Sequence, residues 1–167
     1  MAASGQFKLP LLYRAAFLLI EPIFALAGAI VAHFKPLDYL QLTHGASAPM
    51  TTASIPLSTN IVLTQLANLY FLFAFNEAFI LRSTSDLRVW RTVLLGMLIA
   101  DFGHLYSVSA LGPDIYWKVT QWNVMDFGSV GFVYAGACMR IAFLCGIGLS
   151  VPSGGQGKAK TSVGKMK

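Results

Sequence analysis

The chain has 167 residues, of which 56% are hydrophobic and 11% charged, with a mean hydropathy of +0.63. A soluble domain carries about 25% charged residues, so a soluble globular fold is excluded. The formal net charge of +5 would suggest a nucleic-acid partner in a soluble protein, but most basic residues flank apolar segments or lie in the C-terminal tail. Membrane topology accounts for them, and no nucleic-acid partner is expected.

Four apolar segments, residues 9–33, 59–81, 89–111 and 123–149, are each near the roughly 20 residues that span a hydrocarbon core. The expected fold is all-α: one domain over residues 1–149, a transmembrane four-helix bundle, followed by a basic tail over 150–167. The first segment contains Ala25-Leu26-Ala27, which resembles a signal-peptide cleavage site. It is read as retained, because it carries Arg14 and Glu21-Pro22 and stays apolar past that point. Pro22 has no N–H, so it frees a backbone carbonyl one turn earlier and is expected to kink the helix.

The stretch between Phe34 and Leu57 holds Pro36, Pro49 and Pro56 and reads as the longest loop. Within it, Leu37 to Leu42 fits a short amphipathic helix, and His44 reads as a surface residue. The second segment is rich in aromatics and carries Gln65, Asn68 and Glu77. At 100° per residue Glu77 lies about 180° round from Asn68, close to the segment's end. Glu77 is therefore expected at the interface, paired with Arg82.

Residues 82–88 allow only a tight hairpin. Beyond the third segment, Tyr116, Trp117 and Trp122 form an aromatic group of headgroup-level type. Asp126 reads as a carboxylate at a helix N-terminus. Gly128, Gly131, Ala135 and Gly136 permit close helix approach, which also leaves room for a homo-oligomer. Cys138 and Cys145 are too far apart along one helix to bridge and read as buried packing residues. The Gly-rich basic tail reads as disordered.

Nine basic residues (Lys8, Arg14, Arg82, Arg88, Arg91, Lys158, Lys160, Lys165, Lys167) share one side of such a bundle, against Lys35 and Lys118 on the other. This count puts both termini in the cytoplasm. The expected location is the endoplasmic reticulum or another endomembrane.

Counted at 1.5 Å per residue from the cytoplasmic end of each segment, Glu21 lies about 18 Å deep, Asp101 about 16 Å, His104 about 21 Å, Arg140 about 14 Å and Asn68 about 20 Å. An unpaired charge at such depth costs roughly 2.5–3.5 kcal/mol on insertion scales, so these groups are expected to meet inside the bundle. Two acids, one arginine and one histidine exceed the needs of a single structural ion pair. Carboxyl and imidazole groups are the usual agents of general acid–base catalysis. The candidate catalytic residues are Asp101, His104 and Glu21. The candidate ligand-binding residues are Asn68, Phe73, Tyr106 and Arg140, with the aromatic faces suited to a cationic intermediate. Asp101 and His104 supply two metal ligands at helical spacing, but no second motif such as Glu-x-x-His recurs, and neither metal nor cofactor is expected.

The runs Leu9-Pro10-Leu11 to Tyr13-Arg14, Ile20-Glu21-Pro22, Arg82-Ser83-Thr84-Ser85-Asp86-Leu87-Arg88-Val89-Trp90-Arg91, Ala100-Asp101-Phe102-Gly103-His104-Leu105-Tyr106 and Asp126-Phe127-Gly128 resemble a fungal family of small integral membrane proteins of unknown function. That resemblance spans nearly all of residues 9–149 and implies architecture and a fungal source. More distantly, four helices with a mid-membrane acid and histidine layer are similar to the emopamil-binding, sterol-isomerase superfamily. The likeness is architectural, and no catalytic position is carried over from it. Small membrane-bound terpene cyclases are a further comparison, but usually have more spans. The partners expected are therefore membrane lipid and a sterol- or terpenoid-like molecule bound at the polar layer, with acid–base isomerisation or cyclisation as the reaction. The alternative is a non-enzymatic membrane subunit whose buried charges specify helix packing.

The topology is tested by labelling single cysteines at Ser47 and Ser153 in a chain carrying Cys138→Ala and Cys145→Ala. Ser153 is expected to label from the cytoplasmic side and Ser47 from the opposite side. Labelling of both from one side would reject it.

Overall fold

The computed structural model describes residues 8–149; the tail over 150–167 lies outside the described residues. Among the described residues there is no strand, and four helices are long and apolar enough to cross a membrane: α1 (Leu11–Phe34), α3 (Leu57–Ser83), α4 (Leu87–Leu111) and α5 (Val124–Leu144). The protein is thus all-α with multi-pass membrane character. A shorter helix, α2 (Pro36–His44), fills part of the long connection and extends the helical piece expected there. His44 is exposed, as expected, with Nδ1 2.7 Å from Ser47 Oγ.

The bundle is inverted relative to a soluble protein. Large apolar side chains such as Ile23, Phe71, Ile99 and Phe102 point outward, whereas Glu21, Glu77 and Arg140 are buried. With lipid outside, the helices gain little by hiding leucine and associate through close packing and polar contacts. Helices α1 and α3 form the most extensive pair, sealed by Ala29, Ala32 and Ala67. Gly28 lets the helices approach closely there, since a Cβ at that position would lie 3.3 Å from the Tyr70 ring. The Tyr70 hydroxyl meets that of Tyr39 on α2 at 3.0 Å. Helices α4 and α5 form the second pair.

The two pairs join in an aromatic core at the end where α1 begins and α3 turns into α4. Tyr13, Phe17 and Leu18 from α1, Leu81 from α3, Trp90 and Leu94 from α4, and Phe143 from α5 pack together. The Phe143 ring lies 5.3 Å from that of Tyr13 and 5.7 Å from that of Trp90, within the range of favourable aromatic contact.

Three π-helical turns interrupt the helices, at Ala16–Ile20, Asn76–Ile80 and Phe127–Gly131. The first two pack against one another. Pro22 follows the first, and the carbonyl of Leu18, four residues back, accepts a hydrogen bond from Arg82 Nη2. The expected distortion at Pro22 is thus a π-turn, and the carbonyl that proline cannot serve is met by a side chain from α3. Arg82 is committed to this bond and does not pair with Glu77.

At the N-terminus of α4, Asp86 Oδ1 accepts from Arg88 N at 2.7 Å. At that of α5, Asn123 and Asp126 form a capping box, in agreement with the expected capping role of Asp126. Helix α5 ends at Leu144, earlier than the expected 149. Gly146 adopts a φ of +79°, with Gly146 N donating to Phe143 O and Ile147 N to Ala142 O. This is a Schellman stop, which glycine permits at no steric cost. The two cysteines are exposed rather than buried. Cys138 lies about 200° round the helix from Arg140, which takes it off the inward face.

Replacing Arg82 with Leu leaves the Leu18 carbonyl short of a donor and is expected to cost about 1–3 kcal/mol. In a Pro22→Ala background the new N–H competes for that carbonyl, so the same replacement is expected to cost less. A double-mutant cycle of unfolding in detergent measures the difference; strictly additive costs would refute the link.

Candidate functional site

Each of the four spanning helices sends one ionisable side chain to a single point. Arg140 of α5 is the centre: Nη1 donates to Asp101 Oδ2 of α4 at 2.7 Å, and Nη2 donates to Glu77 Oε1 of α3 at 3.0 Å. Nη2 also donates to Glu21 Oε2 of α1. Glu21 and Glu77 thus meet at the same guanidinium nitrogen. The guanidinium carbon sits 5.9 Å from the centre of the Phe17 ring, so the aromatic core closes one side of the cluster.

The inward register explains the convergence. On α3 the buried residues Leu63, Ala67, Ala74, Glu77 and Leu81 recur at spacings of three, four and seven, the inward stripe of a packed helix. On α4 the buried Trp90, Leu94 and Met97 continue in the same rhythm to Asp101 and His104. On α5, Gly136 is one turn before Arg140 and opens the necessary space. A Cβ there would lie 2.6 Å from Arg140 Nη1 and 3.4 Å from Glu21 Oε1.

Charge balance is the notable property of the cluster. One guanidinium faces three carboxyl groups, which would leave a net charge of −2 with every acid ionised, so a neutral cluster holds two protons. Desolvating unbalanced charge is costly, and the side chains of Glu77 and Asp101 are only 1% and 14% exposed. Asp101 is the most exposed of the four. Arg140 Nε is buried without a hydrogen-bond partner among the described residues.

Among the sequence-predicted candidates, Glu21, Asp101 and Arg140 are brought together. His104 is on the inward side of α4 beside the backbone of Ser129, inside the third π-turn, and its Nε2 is buried without a partner among the described residues. Asn68 lies on an exposed face, Phe73 is half-buried, and Tyr106 is 80% exposed. None of these three makes a hydrogen bond or ring contact with the cluster. The expected interfacial position of Glu77 is overturned: it is buried and bound to Arg140. Its register with Leu63, Ala67 and Leu81 is the signal that identifies it. Among the described residues no three His, Cys, Asp or Glu side chains are grouped to hold a metal ion.

The family described as "Domain of unknown function (DUF7704)" matches residues 6–150, and the chain belongs to that family. The match covers all four spanning helices and every member of the cluster. No curated protein and no solved structure matches the chain.

Gly136→Ala is expected to push the guanidinium off its acids and destabilise the bundle by about 1–3 kcal/mol. Gly96→Ala, where a Cβ meets nothing within 4 Å, serves as the control and should not destabilise. Arg140→Leu strands three acids and is expected to cost about 3–5 kcal/mol. Thermal unfolding in detergent measures all three, and equal midpoints for Gly136→Ala and Gly96→Ala would refute the fit.

Proposed function

We propose that the protein binds a hydrophobic, sterol- or terpenoid-like ligand within the membrane and acts on it as an acid–base isomerase or cyclase, with the Arg140 cluster as its proton store. The observation that carries this reading is the surplus of acid: three carboxyl groups share one guanidinium, where a structural ion pair needs one. Asp101, the most exposed of the four, is the group that meets the ligand. A protonated carboxyl adds its proton to an alkene carbon, leaving a carbocation and a carboxylate. Removal of a proton from the adjacent carbon by a cluster carboxylate restores the alkene at a shifted position, so atoms and charge balance.

The fixed guanidinium holds the carboxylate left behind, which is preorganised electrostatic stabilisation. His104, beside the Ser129 backbone, has one ring nitrogen without a partner among the described residues, available to a polar group of the ligand. Phe73 and Tyr106 would belong to the outer approach. The reading includes the fungal source and endomembrane location expected from the sequence, and cytoplasmic termini, which the basic-residue count supports.

A second reading rests on a different observation: every helix contributes one side chain to Arg140. The cluster would then clasp the bundle, and the protein would be a non-enzymatic subunit.

The readings separate in Asp101→Asn and His104→Gln, which keep size and hydrogen-bonding capacity. Organic extracts of the purified wild type and variants, analysed by mass spectrometry, identify the isoprenoid or sterol that co-purifies and its conversion. On the catalytic reading both variants fold and conversion falls by about 10²–10⁴-fold for a lost general acid or base. Lowered thermal stability with no selective change in bound lipid favours the clasp. Two stable variants with unchanged conversion would remove the site.

A further inference from the structure

A second feature begins at the end of the bundle where α1 begins and α3 turns into α4, and is lined by none of the four cluster residues. Two concavities meet there and share Leu18 and Arg82 as their common wall. One is an open cavity of about 600 Å³ whose polar lining comes from Lys8, Arg14, Arg82, Thr84 and Ser85. The other is a groove of about 230 Å³ between α1 and α3, walled by apolar side chains such as Leu19, Ile23, Phe71, Phe75 and Phe79.

The three cations have no carboxylate partner among the described residues, where ion pairs form only at Lys118 and Arg140. Arg82 spends Nη2 on the Leu18 carbonyl, which fixes the guanidinium at the junction, and makes no other hydrogen bond among the described residues. Thr84 Oγ1 accepts from Asp86 N, so its own hydroxyl hydrogen is free to donate. The groove's walls are outward-facing: Leu19, Ile23, Phe71, Phe75 and Phe79 are all exposed side chains of membrane-spanning helices.

A cationic, hydroxyl-bearing mouth at the end of a span, adjoining an apolar groove along the same helices across Leu18 and Arg82, matches one class of molecule. A free phosphate would leave the groove unused, and a neutral lipid would leave the cations unmatched. We propose that this cleft holds one anionic glycerophospholipid, its phosphate among Lys8, Arg14 and Arg82 and an acyl chain in the groove between α1 and α3. Basic pockets between membrane helices recognise anionic headgroups in this way. The bound lipid spans the contact between the two packed π-turns, and so braces the segment that carries Glu21 and Glu77. The inference does not depend on the chemistry assigned to the cluster.

The test uses the full-length protein in detergent and native mass spectrometry with dioleoyl phosphatidylserine or dioleoyl phosphatidylcholine as probe. The wild type is expected to retain one phosphatidylserine in preference to phosphatidylcholine, and to lose that preference as salt rises. Lys8→Gln with Arg14→Gln is expected to lower phosphatidylserine occupancy by about fivefold for each charge removed. Arg88→Gln with Arg91→Gln, which removes equal charge outside the cleft, should change it less than twofold. Ala78→Phe, which fills the groove and spares the cations, should also weaken binding, and inorganic phosphate should not compete. Equal retention of the two lipids, equal losses in the two charge pairs, or displacement by inorganic phosphate would each overturn the proposal. Should a variant fail to fold, the headgroup preference and its salt dependence in the wild type decide the matter alone.

Discussion

The bundle depends on one guanidinium. Arg140 engages a carboxyl from each of the other three spanning helices, and the rest of the inward surface serves that arrangement. Gly136 clears the space the side chain occupies, Phe17 covers one face, and the aromatic core packs beneath it. In lipid, where burying leucine gains little, directional polar contacts of this kind set which helices meet and in which rotation. The same low-dielectric surroundings make an imbalance of charge expensive. The surplus of carboxyl groups is therefore the feature that needs a reason beyond packing.

Much of this architecture is legible in the sequence because a bilayer leaves few options. Four apolar runs of spanning length, a proline inside the first and charges within the runs lead directly to the helix count, the distortion at Pro22 and the meeting of Glu21, Asp101 and Arg140. The error over Glu77 has a traceable cause. Carrying the last helix to 149 placed Arg140 about 14 Å from its end, whereas the stop at Gly146 leaves it about 6 Å from Leu144. By the same rule Glu77 is about 9 Å from the end of α3 at Ser83. The two are thus level. An overlong helix makes the arginine look too deep for its true partner, and Asn68, level with Glu21 and His104 by the same count but on the opposite face of its helix, takes the place of Glu77 in the sequence reading.

What the sequence does not display is backbone deviation. The π-turns at Ala16–Ile20, Asn76–Ile80 and Phe127–Gly131 have no composition signal comparable to proline, and they arise from tertiary demands. Two of them pack together beside the acids, and His104 lies beside the backbone of the third. π-Turns are common at functional sites because they release backbone groups from the regular ladder and reorient neighbouring side chains. The Leu18 carbonyl, met by Arg82, is the case in which proline chemistry and a distant side chain can be linked residue by residue.

The position of Arg140 in the chain has a consequence for biogenesis. Glu21, Glu77 and Asp101 all emerge from the ribosome before their common counter-charge, which sits on the last spanning helix. A nascent chain with three helices made carries three membrane-depth acids without the guanidinium that pairs with them in the finished bundle, each burdened with the insertion cost of a lone charge. Release of helices one by one into the bilayer is thereby disfavoured, and retention at the insertion machinery until the fourth arrives is favoured. The final helix acts as a keystone, and a chain truncated before it would present unpaired acids in the membrane, the type of defect by which quality control separates unfinished proteins from finished ones.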